Sequence, residues 1–235
     1  MRSGFLPYCA RSSAAALILA VTLGASVRAT DMSEFIHDTQ RTLNQGNQVT
    51  LVWWIPPEFW DVSMATSPNV SAQTAQEIRS AFRDYQVFAV VRATAGLQGL
   101  TDLQSKADLV SNARLEVGGK PIAAVAPEQV PAGMQAMLGA LKPMLSNMLG
   151  QFGKSMELIV YPGVADDKKL IDSLKPGTFQ FSLYDQTFHW RTPLASLLPR
   201  KIDRKSKEEF PGSYDYNPYT GDRLSAQPPQ PAPGK

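Results

Sequence analysis

The stretch Leu51-Val-Trp-Trp-Ile-Pro-Pro-Glu-Phe-Trp-Asp-Val-Ser-Met64 holds three of the four tryptophans in this chain of 235 residues, and its reading decides the fold. Side chains alternate between the two faces of an extended strand. Leu51, Trp53 and Ile55 therefore share one face, and Val52 and Trp54 share the other. Both faces are apolar, which is the pattern of a central strand covered on two sides. Each large ring buries roughly 150–250 Å², so Trp53 and Trp54 are expected in the core. Pro56-Pro57 ends the strand, because proline has no N–H to donate to a ladder. Phe59 and Trp60 come after that stop, flanked by Glu58 and Asp61. They fit either a hydrophobic lid folded back over the sheet or an exposed aromatic lip that binds a ligand such as a sugar.

Upstream, residues 31–45 read as a helix, capped by Asp31 or Ser33 and ended by Gly46-Asn47. Downstream, Ser71 caps a helix carrying Ala75, Ile78, Phe82 and Tyr85 at helical spacing. Val87-Phe-Ala-Val-Val91 follows as a strand, and the order strand, helix, strand predicts a right-handed crossover with parallel pairing. Residues 93–111 carry weak signals and read as a loop region. Gly118-Gly119 is a favoured two-residue hairpin turn, placing Leu115 opposite Ile122. Residues 134–152 form the strongest helical pattern of the chain, with Pro143 predicted to kink or divide it. Residues 156–161 follow as a strand.

A second hairpin centres on Asp185-Gln186, pairing Leu183 with Phe188 and Phe181 with Trp190. Gln180, Ser182, His189 and Arg191 then share its polar face. The expected fold is one α+β domain over residues 31–198. It combines a mixed β-sheet of central strands with the two hairpins, and helices pack against it. Residues 199–224 read as a charged, tyrosine-rich C-terminal extension. Residues 225–235 contain four prolines and read as a disordered tail.

The N-terminus sets the expected compartment. Arg2 and Arg11 precede the apolar run Ala14–Ala25, and Val27-Arg28-Ala29 has the small-residue spacing of a cleavage site, so residues 1–29 read as a secretory signal peptide. A helix of that run would rise only ~18 Å against a hydrocarbon core of ~30 Å. Ser26 stands where a lipoprotein would need cysteine, and Cys9, the sole cysteine, precedes the run. A mature chain from Thr30 is thus expected to be soluble, periplasmic or secreted, and free of disulfides and transmembrane segments. The whole chain carries a formal charge of +2; removal of Arg2, Arg11 and Arg28 leaves 20 basic against 21 acidic residues. No global charge favours nucleic acid.

The sequence carries no H-E-x-x-H, G-x-S-x-G, Walker A or G-x-G-x-x-G motif, and no cofactor is expected. Glu58, Asp61 and His189 are acid–base candidates for a hydrolase-like enzyme acting on a polar polymer, provided they converge. Phe59, Trp60, Gln180 and Arg191 are ligand-binding candidates. Met134, Met137, Met144 and Met148 offer thioethers that suit Cu(I), but the same residues complete an apolar helix stripe. Arg200, Lys201, Arg204, Lys205 and Lys207 read as a solvated connector. The favoured expectation is a non-enzymatic exported binding or accessory module. Its partner would be an envelope protein or a polysaccharide, met through the aromatic lip and the C-terminal segment.

Overall fold

The computed structural model describes residues 31–65, 70–97 and 99–226. The signal-peptide reading of residues 1–29 lies outside the described residues, as does all but the first two positions of the expected tail.

The chain opens with α1 (Met32–Thr39), capped by Asp31, whose Oδ1 accepts the Ser33 N–H at 2.8 Å. It continues directly into β1 (Gln40–Gln45) and turns at Gly46-Asn47 into β2 (Gln48–Ile55). The helix expected over 31–45 is therefore only half helix. Thr39 marks the change: its hydroxyl donates to the Phe35 carbonyl and accepts from Trp53 Nε1, and its carbonyl accepts from Trp190 Nε1. These tertiary bonds fix the chain alongside β2, and the polar residues beyond Thr39 follow it as an edge strand.

Next come α2 (Glu58–Ala65), α3 (Ala72–Phe82) with its Ser71 cap, and the long β3 (Tyr85–Gly96). β4 (Gly99–Thr101) and α4 (Lys106–Asn112) occupy the region expected to be loop. β5 (Ala113–Val117) and β6 (Lys120–Ile122) form the Gly118-Gly119 hairpin with Leu115 opposite Ile122, as expected. Both turn glycines have positive φ, 56° and 76°, which suits this two-residue turn. α5 (Ala132–Met148) runs unbroken through Pro143. β7 (Glu157–Pro162), the short β8 (Val164–Ala165) and β9 (Lys168–Lys169), and the hairpin of β10 (Gly177–Leu183) and β11 (Gln186–Thr192) follow. The described chain ends with β12 (Lys201–Ile202), β13 (Glu209–Phe210) and β14 (Ser225–Ala226).

This is an α+β fold, as expected, but its strands pair antiparallel throughout the described sheets. The first sheet has the order β1-β2-β3-β4, with β7 also on β3. β3 is long enough to pair β7 along its first half and β4 along its last residues. The predicted parallel crossover from β2 to β3 is corrected, because Ile55 pairs with Val87 and Gln48 with Thr94. Two short helices, α2 and α3, return the chain at the end where it left, held together by Trp60 against Phe82. The hairpins do not join this sheet. They build a second one, β11-β10-β5-β6.

Three layers result. Trp53 faces the helices, with its ring 5.3 Å and edge-on from Phe59. Trp54 and Phe88 face the second sheet, where Phe88 stacks on Phe181 at 4.6 Å and Trp54 meets Phe179 at 4.7 Å. Both tryptophans are wholly buried, as expected of a strand covered on two sides. The indole N–H of Trp54 is satisfied by the buried Gln86 side chain at 2.8 Å.

The second hairpin keeps its expected faces but not its pairing. Phe181 pairs with Phe188 and Phe179 with Trp190, so the turn is Tyr184-Asp185 rather than Asp185-Gln186. Tyr184 takes a positive φ of 54°, and the Arg92 guanidinium lies 4.2 Å above its ring while reaching Asp185.

Phe88→Ala removes one of the rings that join the first sheet to the second, the one stacked on Phe181. Chemical denaturation should show a loss of about 3–5 kcal/mol, the usual range for a large aromatic truncated in a core.

Candidate functional site

The residues singled out from the sequence do not form one site. Phe59 and Trp60 lie on α2 and are 0% and 2% exposed. The exposed aromatic lip is thereby corrected: α2 folds both rings inward as a lid, joining Trp53 to Phe82 through a chain of ring contacts. Glu58 accepts from Lys169 at 3.3 Å, and Asp61 pairs with Arg79. His189 is exposed on β11, paired in register with Gln180. Its neighbours Phe188 and Trp190 point toward the first sheet, so His189 points away from it. α2 covers the opposite face of that first sheet. Among the described residues no hydrogen bond or ion pair joins the imidazole to either carboxylate.

Met134 is buried, Met137 and Met144 pack half-buried against the core, and Met148 is exposed. Met134, Met137 and Met144 follow the helix stripe inward, and Met148 does not. Among the described residues no group of three or more His, Cys, Asp or Glu side chains could hold a metal ion. No helix there is long and apolar enough to cross a membrane.

Exposed aromatics occur instead where the sequence showed only an extension. Beyond residue 198 the described chain builds a small three-stranded sheet, β13-β12-β14. Residues 204–207 of the expected solvated connector are exposed, but the segment is tied down by ion pairs. Arg200 pairs with Glu34 of α1, Lys201 with Asp215 at 2.8 Å, and Lys205 with Asp222 at 2.8 Å.

The centre of this knuckle is a carboxylate. Asp203 is 2% exposed. Its Oδ2 accepts from the Asn217 amide at 2.6 Å, and its Oδ1 accepts the N–H groups of Lys205 at 2.8 Å and Ser206 at 3.3 Å. Asn217 passes the order on: its Oδ1 accepts the Tyr219 N–H at 2.9 Å, and its carbonyl accepts the Gly221 N–H at 2.8 Å. The Asn217 bond, followed by the Lys205 N–H, holds the Asp203 carboxyl below its ordinary range against the opposing effect of desolvation. Lys201 does the same to Asp215, and Asp222 raises the Lys205 ammonium.

On this pinned loop stand Tyr214, Tyr216 and Tyr219, exposed by 43%, 60% and 83%. Only Tyr219 makes a ring contact inward, at 6.5 Å from Phe210. Sequence reasoning found these tyrosines among turn formers but not the hub that orders them. Asp203 and Asn217 are 14 positions apart and share no local pattern. A useful signal was the spacing of tyrosines among polar residues with no aliphatic neighbour to bury them.

A depressed folded-state pKa contributes stability that is complete above the ordinary carboxylate value. That contribution is lost as pH falls through the folded value. The knuckle should therefore loosen below about pH 4, where free aspartate begins to protonate. Asp203→Ala should cause the same loosening at neutral pH. Amide exchange should accelerate across residues 203–222, while fluorescence from the buried tryptophans of the main core stays unchanged.

No family model, curated protein or solved structure matches this chain.

Proposed function

We propose that the chain is an exported, non-catalytic binding or accessory module that holds a protein partner of its compartment through Tyr214, Tyr216 and Tyr219. The observation that carries this reading is the exposure of three tyrosines on a loop whose backbone is tied to a buried carboxylate. Tyrosine has two side-chain torsions, so a ring on a fixed backbone loses little entropy when a partner covers it. Aromatic anchors of this kind carry much of the energy in protein interfaces. The charges beside them are already engaged, Lys201 with Asp215 and Lys205 with Asp222.

Export is supported by the order of Arg2, Arg11, the apolar run and Val27-Arg28-Ala29. It also agrees with a chain that would keep no thiol after removal of Cys9. Core stability must then come from packing of the buried apolar side chains, since no disulfide remains to supply it.

Two measurements test the reading. The intact mass of protein recovered from the exported fraction should correspond to a chain starting at Thr30; retention of residues 1–29 would sink the export claim. Tyr216→Ala/Tyr219→Ala should weaken capture of the partner that co-purifies with wild type by roughly 30-fold, the effect of losing about 2 kcal/mol at an interface anchor. Unchanged capture by a folded double variant would overturn the tyrosine assignment.

A further inference from the structure

The second sheet has one face against the core, and among the described residues no element covers its other face. The strand register lays out the side chains of that outer face. Arg114, Ser182 and Thr187 form one row across β5, β10 and β11. Glu116, Gln180 and His189 form the next, and Thr178 with Arg191 a third. Neighbouring strands are about 4.8 Å apart, and the four-residue step from Ser182 to Thr178 covers about 13 Å. Arg114 and Arg191 thus stand at opposite corners of a flat field of amide, hydroxyl and imidazole groups.

The charges on this face are unevenly satisfied. Arg114 donates only to the backbone carbonyls of Ser111 and Ala113, both at 2.7 Å. Among the described residues, neither Arg114 nor Arg191 has a carboxylate partner, and Glu116 is the only acid in the three rows. A shallow depression of about 270 Å³ lies over Gln180, His189 and Arg191. Through Gly118, Thr178 and Phe179 it meets a larger cleft of about 730 Å³ bordered by Lys168, Lys169 and Lys175. Two acids also border that cleft, Asp167 and Asp172. Asp172 is already engaged, accepting the Leu174 N–H and pairing with Lys175. Lys169 is held by Glu58, while Lys168 has no carboxylate partner among the described residues.

From this arrangement we propose that the outer face of the second sheet binds an anionic polysaccharide bearing carboxylates. Hydroxyls and amides in a flat array match the hydroxyls of a sugar chain, and guanidinium groups at the corners match its carboxylates in forked geometry. The lysine-bordered cleft extends the same track beyond Arg191. This surface is separate from the tyrosine knuckle and does not depend on it.

Retention of the exported protein on immobilised polygalacturonate tests the assignment, with fully methyl-esterified polygalacturonate as the uncharged counterpart. Wild type should be retained by the acid form only, and more weakly as salt rises. Arg114→Glu/Arg191→Glu should weaken retention by roughly tenfold or more, as loss of two charge-assisted contacts implies. Lys106→Glu/Arg204→Glu makes the same change in net charge elsewhere and should leave retention within about twofold, since screened charges away from the face contribute little. Arg114→Gln/Arg191→Gln provides the weaker, charge-neutral loss should the reversed variant fail to fold. Tyr216→Ala/Tyr219→Ala should bind polygalacturonate like wild type, which separates this surface from the knuckle. No retention of wild type, equal retention on the methyl ester, or equal loss in the control variant would overturn the proposal. Preference for inorganic polyphosphate over polygalacturonate would overturn the carboxylate assignment.

Discussion

Phe88, stacked on Phe181 and edge-on to Phe179 and Trp190, is the ring around which the two sheets share one core. Phe88 sits near the start of β3, the one strand that pairs with three others. One face of β3 meets the second sheet through this ring, while Val87, Ala89 and Val91 lie buried on the other. A strand covered twice cannot carry an unpartnered polar side chain without a large cost. The buried Gln86 meets that demand by accepting the Trp54 N–H. Tryptophan and glutamine are therefore a coupled choice at the centre of the molecule. So are Trp53 and Thr39, whose hydrogen bond fixes where α1 gives way to β1.

Much of this interior was legible in the sequence, because two-faced apolarity has one good explanation in an ordered domain. Apolarity on both faces and the Pro56-Pro57 stop favoured a covered strand over residues 51–55, and the faces of the second hairpin followed from strict alternation of large and polar residues. Periodicity, however, specifies a face and leaves the partner open. The antiparallel return of β3 depends on two short helices doubling back through Trp60 and Phe82, a contact across 22 positions. The hairpin turn moved by one residue because Arg92, far away on β3, sits over the Tyr184 ring and reaches Asp185. A polar edge strand such as β1 lacks the apolar signature altogether, since its register comes from β2.

Of the two readings open for Phe59 and Trp60, the lid is the one the fold takes: both rings close the core. Tyr214, Tyr216 and Tyr219 lie in a stretch with almost no aliphatic residues, and they remain outside. What orders them is a polar hub in which one buried carboxylate satisfies several donors at once. Such a network supplements the few buried apolar residues there, Phe210 and Leu224, and its partial loss costs more than any single bond suggests. The polar sheet face uses a different device: side chains borrow their spacing from the ladder beneath them.

The position of β3 in the chain also sets the order in which the molecule can be completed. Phe181 lies 93 residues beyond Phe88, and β7, which flanks the first half of β3, begins only at residue 157. Nearly every interaction that closes the core is therefore non-local, a topology associated with slow folding. A growing chain reaches β3 early but cannot cover it until most of the sequence has been made. Until then the Phe88 ring lacks its partner, and the same late strands that bring Phe181 complete the core.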